Sequence, residues 1–213
     1  MTPQPNQLFT TVNLIQRTFF PDSFVALKCT LCLLQKNDRI RKNDGDEEVD
    51  IENIRKELQC TVHPLNTLGN YKYVVVCTWY KGRWILSRHK MRTTWETQGG
   101  HIEMSETPIM AAKRELREES GIEKATLYPV CDYYGYNHLS HANGMVFLAL
   151  ADELGKLPNS EMQEIKGFYP LPENLTYPDT TPVLTSEAEK YMSILENQGE
   201  KRPDNGSLNI LHR

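Results

Sequence analysis

No stretch of this chain is apolar for long enough to span a bilayer. The most apolar early run, FVALKCTLCLL, is short and carries Lys28, whereas a spanning helix needs about 20 predominantly apolar residues. The opening residues, MTPQPNQLFTTVNL, lack the basic start and unbroken apolar core of a secretory signal, so a cytoplasmic location is expected. Positive charge is not in excess either. A formal net charge of −4 argues against a general binder of nucleic-acid polymers or anionic membranes. Cysteine is scarce: the five residues, Cys29, Cys32, Cys60, Cys77 and Cys131, are odd in number and lie mostly in apolar segments. Reduced, buried thiols are therefore expected rather than a disulfide framework. Cys29-x-x-Cys32 and Cys60-x-x-His63 have metal-ligand spacing. The first pair, however, sits in an apolar run without the Gly or polar residues of a zinc knuckle, which favours structural thiols. There is no internal repeat, and 213 residues suit one domain with appendages or two small ones.

The informative stretch is GGHIEMSETPIMAAKRELREESGI, from Gly99 to Ile122. Its second half reads as a helix. Thr107 is placed to cap it, Pro108 suits the first helical position, and Gly121 suits a left-handed C-terminal residue. Ile109, Ala112 and Leu116 form an apolar stripe that would anchor it to a core. Glu115, Glu118 and Glu119, at i, i+3 and i+4, share one face of its last turn. Three like charges there repel one another and oppose the helix dipole, effects of roughly 0.3–1 kcal/mol each at an exposed site. A divalent cation reverses the sign of both, because carboxylates are the hard oxygen ligands that Mg²⁺ or Mn²⁺ accepts. Without flanking residues, the same face reads as an ordinary solvated acidic surface.

The flanking residues supply more. From Gly100 the chain reads G, five residues, Glu106, seven residues, Arg114, Glu115, Leu116, one residue, Glu118, Glu119, one residue, Gly121, Ile122. This resembles the Nudix box with every specified position filled. The resemblance implies an α/β fold, the Nudix α/β/α sandwich with a mixed β-sheet. It also implies hydrolysis of a pyrophosphate bond in a nucleoside diphosphate linked to another group. Glu115, Glu118 and Glu119, helped by the Gly99 carbonyl, would ligate Mg²⁺ or Mn²⁺. Gly99 and Gly100 would let the backbone approach the site, Arg114 would hold the acids in place, and Glu106 would buttress the loop–helix junction.

Along the chain, residues 7–20 and 51–58 have the spacing of short amphipathic helices, separated by a charged linker at about 36–50. Residues 1–66 therefore read as a small, mostly helical N-terminal extension. A Nudix domain is expected over 67–197 and a disordered tail over 198–213. Within the domain, strands are expected at YKYVVVCTW, RWILSRH (after a Lys81–Gly82 turn), ATLYPVCDYYGY, GMVFLALAD and 164–169. His138–Gly144 reads as a polar loop and Thr185–Glu196 as a closing helix.

The general base is open between a box glutamate and the later Glu161 or Glu164, with Glu161 favoured because similar family members carry a metal-associated glutamate in that loop. Arg88, His89 and His101, with Lys90 and Arg92 between them, are candidates for the substrate phosphates, Arg88 foremost. His138 and His141 are weaker candidates for the substrate face. GGHIEMSETP, LPENL and YPDTTPVL resemble the MutT-like branch, which hydrolyses oxidised nucleoside triphosphates such as 8-oxo-dGTP. Two positions depart from it. Gln98 replaces the proline before the glycines, and Thr180 stands where a guanine-reading asparagine aligns. The expected partner is a small-molecule nucleotide, with ADP-ribose or another conjugate as the alternative substrate and a non-catalytic nucleotide sensor as the alternative role. A homodimer is left open.

Overall fold

The computed structural model of the chain describes residues 39–40 and 49–199. The helix expected at 7–20, the apolar 24–34 run with Cys29 and Cys32, most of the charged linker and the tail beyond 199 lie outside the described residues.

A mixed seven-stranded sheet organises everything else. Its strands are β3 (Gln59–His63), β4 (Tyr73–Tyr80), β5 (Arg83–His89), β6 (Gln98–His101), β7 (Ala125–Tyr136), β8 (His141–Ala151) and β9 (Met162–Phe168). They lie in the order β3-β7-β8-β4-β5-β9, with β6 also paired to β4. The β4–β8 pair is parallel and the other pairs are antiparallel. A separate two-stranded ladder joins β1 (Arg39–Ile40) to β2 (Val49–Asp50), and α1 (Ile51–Lys56) follows directly. Lys81 and Gly82, both at positive φ, make the tight turn between β4 and β5.

Alternation along β4 decides which helix covers which face. Val74 and Val76 pack with Ile85 and Phe147 beneath Ala111, Ala112 and Leu116 of α2 (Pro108–Ser120). Cys77 and Trp79 point the other way, to Leu184, Ala188 and Met192 of α3 (Thr181–Asn197). The result is the expected α/β/α sandwich, because a period of two along a strand gives each helix its own apolar surface. No helix among the described residues is long and apolar enough to cross a membrane.

Several local expectations change. Gln59–His63, assigned from sequence to the mostly helical extension, is an edge strand of the main sheet, registered on β7 from Gln59↔Tyr136 to His63↔Asp132. Its apolar alternation is weak, and the backbone ladder to β7 holds it. Cys60 and His63 thus sit on a paired strand, and Cys60, Cys77 and Cys131 are free thiols. The polar loop expected at His138–Gly144 shrinks to residues 137–140, since β8 already starts at His141 opposite Tyr136. The Asn137 side chain closes that turn by accepting the Leu139 and Ser140 amides. Helix α3 starts at Thr181, with Pro182 in its first turn, rather than at Thr185. Gly121 ends α2 at φ 73° as expected, but the Thr107 side chain makes no capping bond.

Asp132 ties the segment before β4 to the sheet. Fully buried, it accepts the amides of Asn66 (3.1 Å), Thr67 (2.8 Å) and Leu68 (2.9 Å) and the Tyr71 hydroxyl (2.9 Å). Each part-buried donor left unpaired costs about 1–3 kcal/mol. Asp132→Ala should therefore lower the unfolding free energy by about 3 kcal/mol or more in urea titrations, with Asn recovering part. A loss below ~0.5 kcal/mol would show that water replaces this acceptor.

Candidate active site

The acidic helix and the diglycine strand meet at van der Waals limits. A Cβ on Gly100 would lie 2.2 Å from Glu115 Oε1, and one on Gly99 would lie 2.4 Å from the Val74 carbonyl. At Gly99 the obstacle is backbone, so only glycine allows β6 to pack this close to β4, whereas at Gly100 it is the tip of the Glu115 side chain. In return the Gly99 amide donates to Glu119 Oε2 at 2.9 Å.

Arg114 is the hub beside them. Its Nε and Nη2 donate to the two oxygens of Glu106 at 2.8 and 2.9 Å, its Nη1 to Glu115 Oε1 at 2.7 Å, and Nη2 also to the His101 carbonyl at 2.8 Å. Glu106 Oε2 in turn accepts the Glu103 amide at 3.0 Å. One planar guanidinium thus fixes the loop, the strand end and the first acid of the helix, and it holds the Glu106 carboxyl below its ordinary range.

The acids themselves are unequal. Glu115 and Glu119 are buried, whereas the Glu118 side chain is 46% exposed, with Arg114 Nη1 3.5 Å away. Burial lifts the Glu119 carboxyl well above the ordinary range, and the charges of Glu115 and Glu96 push it further in that direction. Burial also raises Glu115, against the opposing pull of Arg114. As placed, no three acidic, His or Cys groups among the described residues converge closely enough to enclose an ion. Arg114 draws Glu115 aside, the Gly99 amide engages Glu119, and Glu118 turns outward. The donor set nevertheless fits a hard divalent cation: carboxylate oxygens on one helix turn, with Glu119 buried among like charges.

Behind this layer lies a chain of side-chain bonds that sequence reading had marked only as a departure. Gln98 is fully buried; its Oε1 accepts the Thr78 hydroxyl at 2.6 Å, and its Nε2 donates to Ser87 Oγ at 2.8 Å and to the Ile85 carbonyl at 3.2 Å. Ser87 Oγ then donates to the Glu119 carbonyl at 2.8 Å. An amide here links β4, β5, β6 and the end of α2. A proline could make none of these bonds.

A cleft of about 860 Å³, counted to its open mouth, runs past these groups. Gly99, Gly100, Glu119, Glu161 and His89 line it. His89 Nδ1 accepts the Met91 amide at 3.1 Å, which leaves Nε2 to carry the proton in the neutral ring. The other candidates go elsewhere. Arg88 pairs with Glu164 and stacks 5.3 Å from the Trp95 ring, away from the cleft. The His101 ring packs 4.3 Å from Tyr73, Lys90 Nζ donates to the Ser160 carbonyl, and His141 rests against Tyr134. His138 pairs with Glu57 at 2.6 Å. Of the two late glutamates, only Glu161 reaches the cleft. Thr180 also lines it, but its hydroxyl donates to the Leu58 carbonyl at 2.6 Å.

Arg92, a phosphate candidate from the sequence, does line the cleft, but a buried partner that sequence reading missed, Glu96, holds its guanidinium. Arg92 Nη1 donates to both oxygens of Glu96 at 2.8 and 2.7 Å, and both side chains are under 8% exposed. Burial raises the Glu96 carboxyl, while Arg92 and Arg55 oppose the rise. Opposite charges four apart were visible, but that spacing implies contact only on a helix, and these two residues sit between strands.

The model of the NUDIX domain matches residues 71–187. Among solved structures, a pyrophosphohydrolase of Bacillus subtilis shares the fold at a TM-score of 0.55 and 23% identity, over 64% of this chain and 90% of its own. A NUDIX-family hydrolase from Clostridium perfringens aligns at 21% identity over 58% of this chain and 99% of its own, TM-score 0.48. A MutT NUDIX hydrolase from Burkholderia pseudomallei aligns at 23% identity over 55% and 94%, TM-score 0.43. No curated protein matches the chain.

Proposed function

The chain belongs to the Nudix family of hydrolases, which act on phosphorus-containing anhydrides, and on that premise we propose that it cleaves a nucleoside triphosphate to a monophosphate and pyrophosphate. The observation that carries this reading is the pair of buried acids, Glu115 and Glu119, packed against a diglycine strand that lines one cleft together with Glu119 and Glu161.

Nudix hydrolases generally use divalent metals; here Glu115, Glu118, Glu119 and the Gly99 carbonyl would hold the ion, Mg²⁺ or Mn²⁺. When bound, it supplies charge neutralisation at the phosphate oxygens. The protein's own part is orientation and proton handling. Gly99 and Gly100 admit the phosphates to the backbone, and His89 faces them from β5. Arg114 keeps Glu115 and the Glu106 loop in one arrangement. Glu161 takes the proton of the attacking water. Thr180 offers no side-chain amide to read a base, and its hydroxyl is already engaged by the Leu58 carbonyl. A preference for 8-oxo-dGTP over other triphosphates therefore has no support at that position.

Incubation with nucleoside triphosphates, 8-oxo-dGTP and ADP-ribose in Mg²⁺, with products resolved by phosphorus NMR, tests the reading. Monophosphate plus pyrophosphate is expected. Cleavage of ADP-ribose alone would move the substrate to nucleotide conjugates, and tight metal-free binding without turnover would make the protein a sensor. Glu161→Gln should lower kcat by about 10²-fold or more, the scale of general-base loss. Glu164→Gln should change it less than about threefold, since Glu164 pairs with Arg88 outside the cleft. The reverse pattern would transfer the base to Glu164.

A further inference from the structure

One wall of the cleft comes from outside the segment that matches the family model. Leu58, thirteen residues before its start at residue 71, is buried and lines the cleft. Two contacts hold this part of the chain in place. β3 is registered on β7 along its whole length. The Thr180 hydroxyl donates to the Leu58 carbonyl at 2.6 Å, across 122 residues, although Thr180 is the N-cap residue of α3 and its side chain makes no capping bond. One turn earlier, Arg55 is 5% exposed and its charge bears on Glu96, which lines the same cleft.

The chemistry of the cleft divides. Glu119, Glu161, Gly99 and Gly100 make a polar part suited to phosphates and a cation. Leu58, Tyr73, Val75, Tyr133, Ala142 and Leu184 make an apolar part. The Tyr133 ring is fixed there, lying across Gly144 so closely that a Cβ would fall 2.2 Å from it. A buried aromatic ring and a buried aliphatic side chain lining one cleft suit a flat heteroaromatic ring, whose faces are apolar and whose edges are not.

We propose that Leu58, clamped by Thr180, is a base-selecting residue that closes the apolar part of the cleft against a nucleobase. The proposal rests on the nucleotide reading above and assigns a substrate-binding role to a segment outside the matched domain. Thr180 acts through Leu58 as a positioning residue.

The test uses the full chain and two kinds of readout. Binding of AMP, GMP, CMP and UMP, and of base-free ribose 5-phosphate, is measured by calorimetry on wild type, Leu58→Ala, Leu58→Met and Thr180→Val. Leu58→Ala should weaken the best-bound monophosphate about tenfold, from lost apolar contact. It should leave ribose 5-phosphate within about twofold and narrow the spread among the four bases. Met should restore most of the loss, and Thr180→Val should shift in the same direction as Ala by about threefold. For any triphosphate turned over, KM should rise by more than kcat falls in Leu58→Ala. Equal losses for monophosphates and ribose 5-phosphate, no loss at all, or a wild type that binds monophosphates no better than ribose 5-phosphate would overturn the proposal. Base-selective binding without triphosphate hydrolysis would remove the pyrophosphohydrolase reading alone and leave the Leu58 wall standing.

Discussion

Glu119→Gln is expected to lower turnover by about 10³-fold while raising the melting temperature of the metal-free protein. Glu119 is 7% exposed, sits beside Glu115 and Glu96, and holds its proton well above the ordinary carboxylate value of 4.5. An acid whose folded pKa exceeds its unfolded pKa costs stability as pH rises through that interval, because the folded state then binds more protons than the unfolded one. Glutamine removes that cost and still offers an oxygen to the Gly99 amide. The gain should therefore be present at neutral pH and vanish below about pH 4, where both states of glutamate are protonated. Catalysis moves the other way. A metal-site charge contributes several kcal/mol to the transition state, and about 4 kcal/mol corresponds to roughly 10³ in rate. Calorimetric melts should also show Mg²⁺ raising the wild-type melting temperature and raising the variant's far less. Unaltered Mg²⁺-dependent turnover in the variant would remove Glu119 from the metal site.

Arg114→Ala should carry the largest cost in stability. Its guanidinium, 19% exposed, joins Glu106, Glu115 and the His101 carbonyl. Removing one partner of a largely buried ion pair costs about 3–5 kcal/mol, because the remaining carboxylates lose their countercharge. Turnover should fall with it, by about 10²-fold or more, as Glu115 and the 102–107 loop lose their common anchor. Lysine separates the two effects. It restores positive charge but cannot reach both Glu106 oxygens and Glu115 from one planar fork. Arg114→Lys should recover roughly half the stability and little of the turnover. Urea unfolding alongside steady-state kinetics checks both. Full recovery of turnover by lysine would mean that charge, and not geometry, is what the site needs from this residue.

The sandwich itself was legible because its signals are local. The β-branched and aromatic run of β4, the Lys81–Gly82 turn and the Gly121 helix stop each depend on a few adjacent residues, and the backbone follows them. Strand β3 was not legible. None of its five residues is fully buried, so it shows no clear apolar face, and its partner strand lies far along the chain, from Gln59↔Tyr136 to His63↔Asp132. Gln98 could be noticed as a departure but not explained, since its bonds run to Thr78, Ile85 and Ser87 on two other strands.

At the site the division is similar. The spacing of Glu115, Glu118 and Glu119 by itself determined that three carboxylates share a helix turn, because 3.6 residues per turn requires it. The Gly99–Gly100 pair likewise announced a close approach of backbone. Only the tertiary structure decided that Glu161 faces the cleft while Glu164 pairs with Arg88, that His89 and not Arg88 points inward, and that Leu58 joins the cleft from outside the matched domain. Neighbouring residues on a strand face opposite ways, so a one-residue difference in register exchanges a cleft residue for a surface one. That register is set by pairing with strands remote in sequence, where local pattern carries no information.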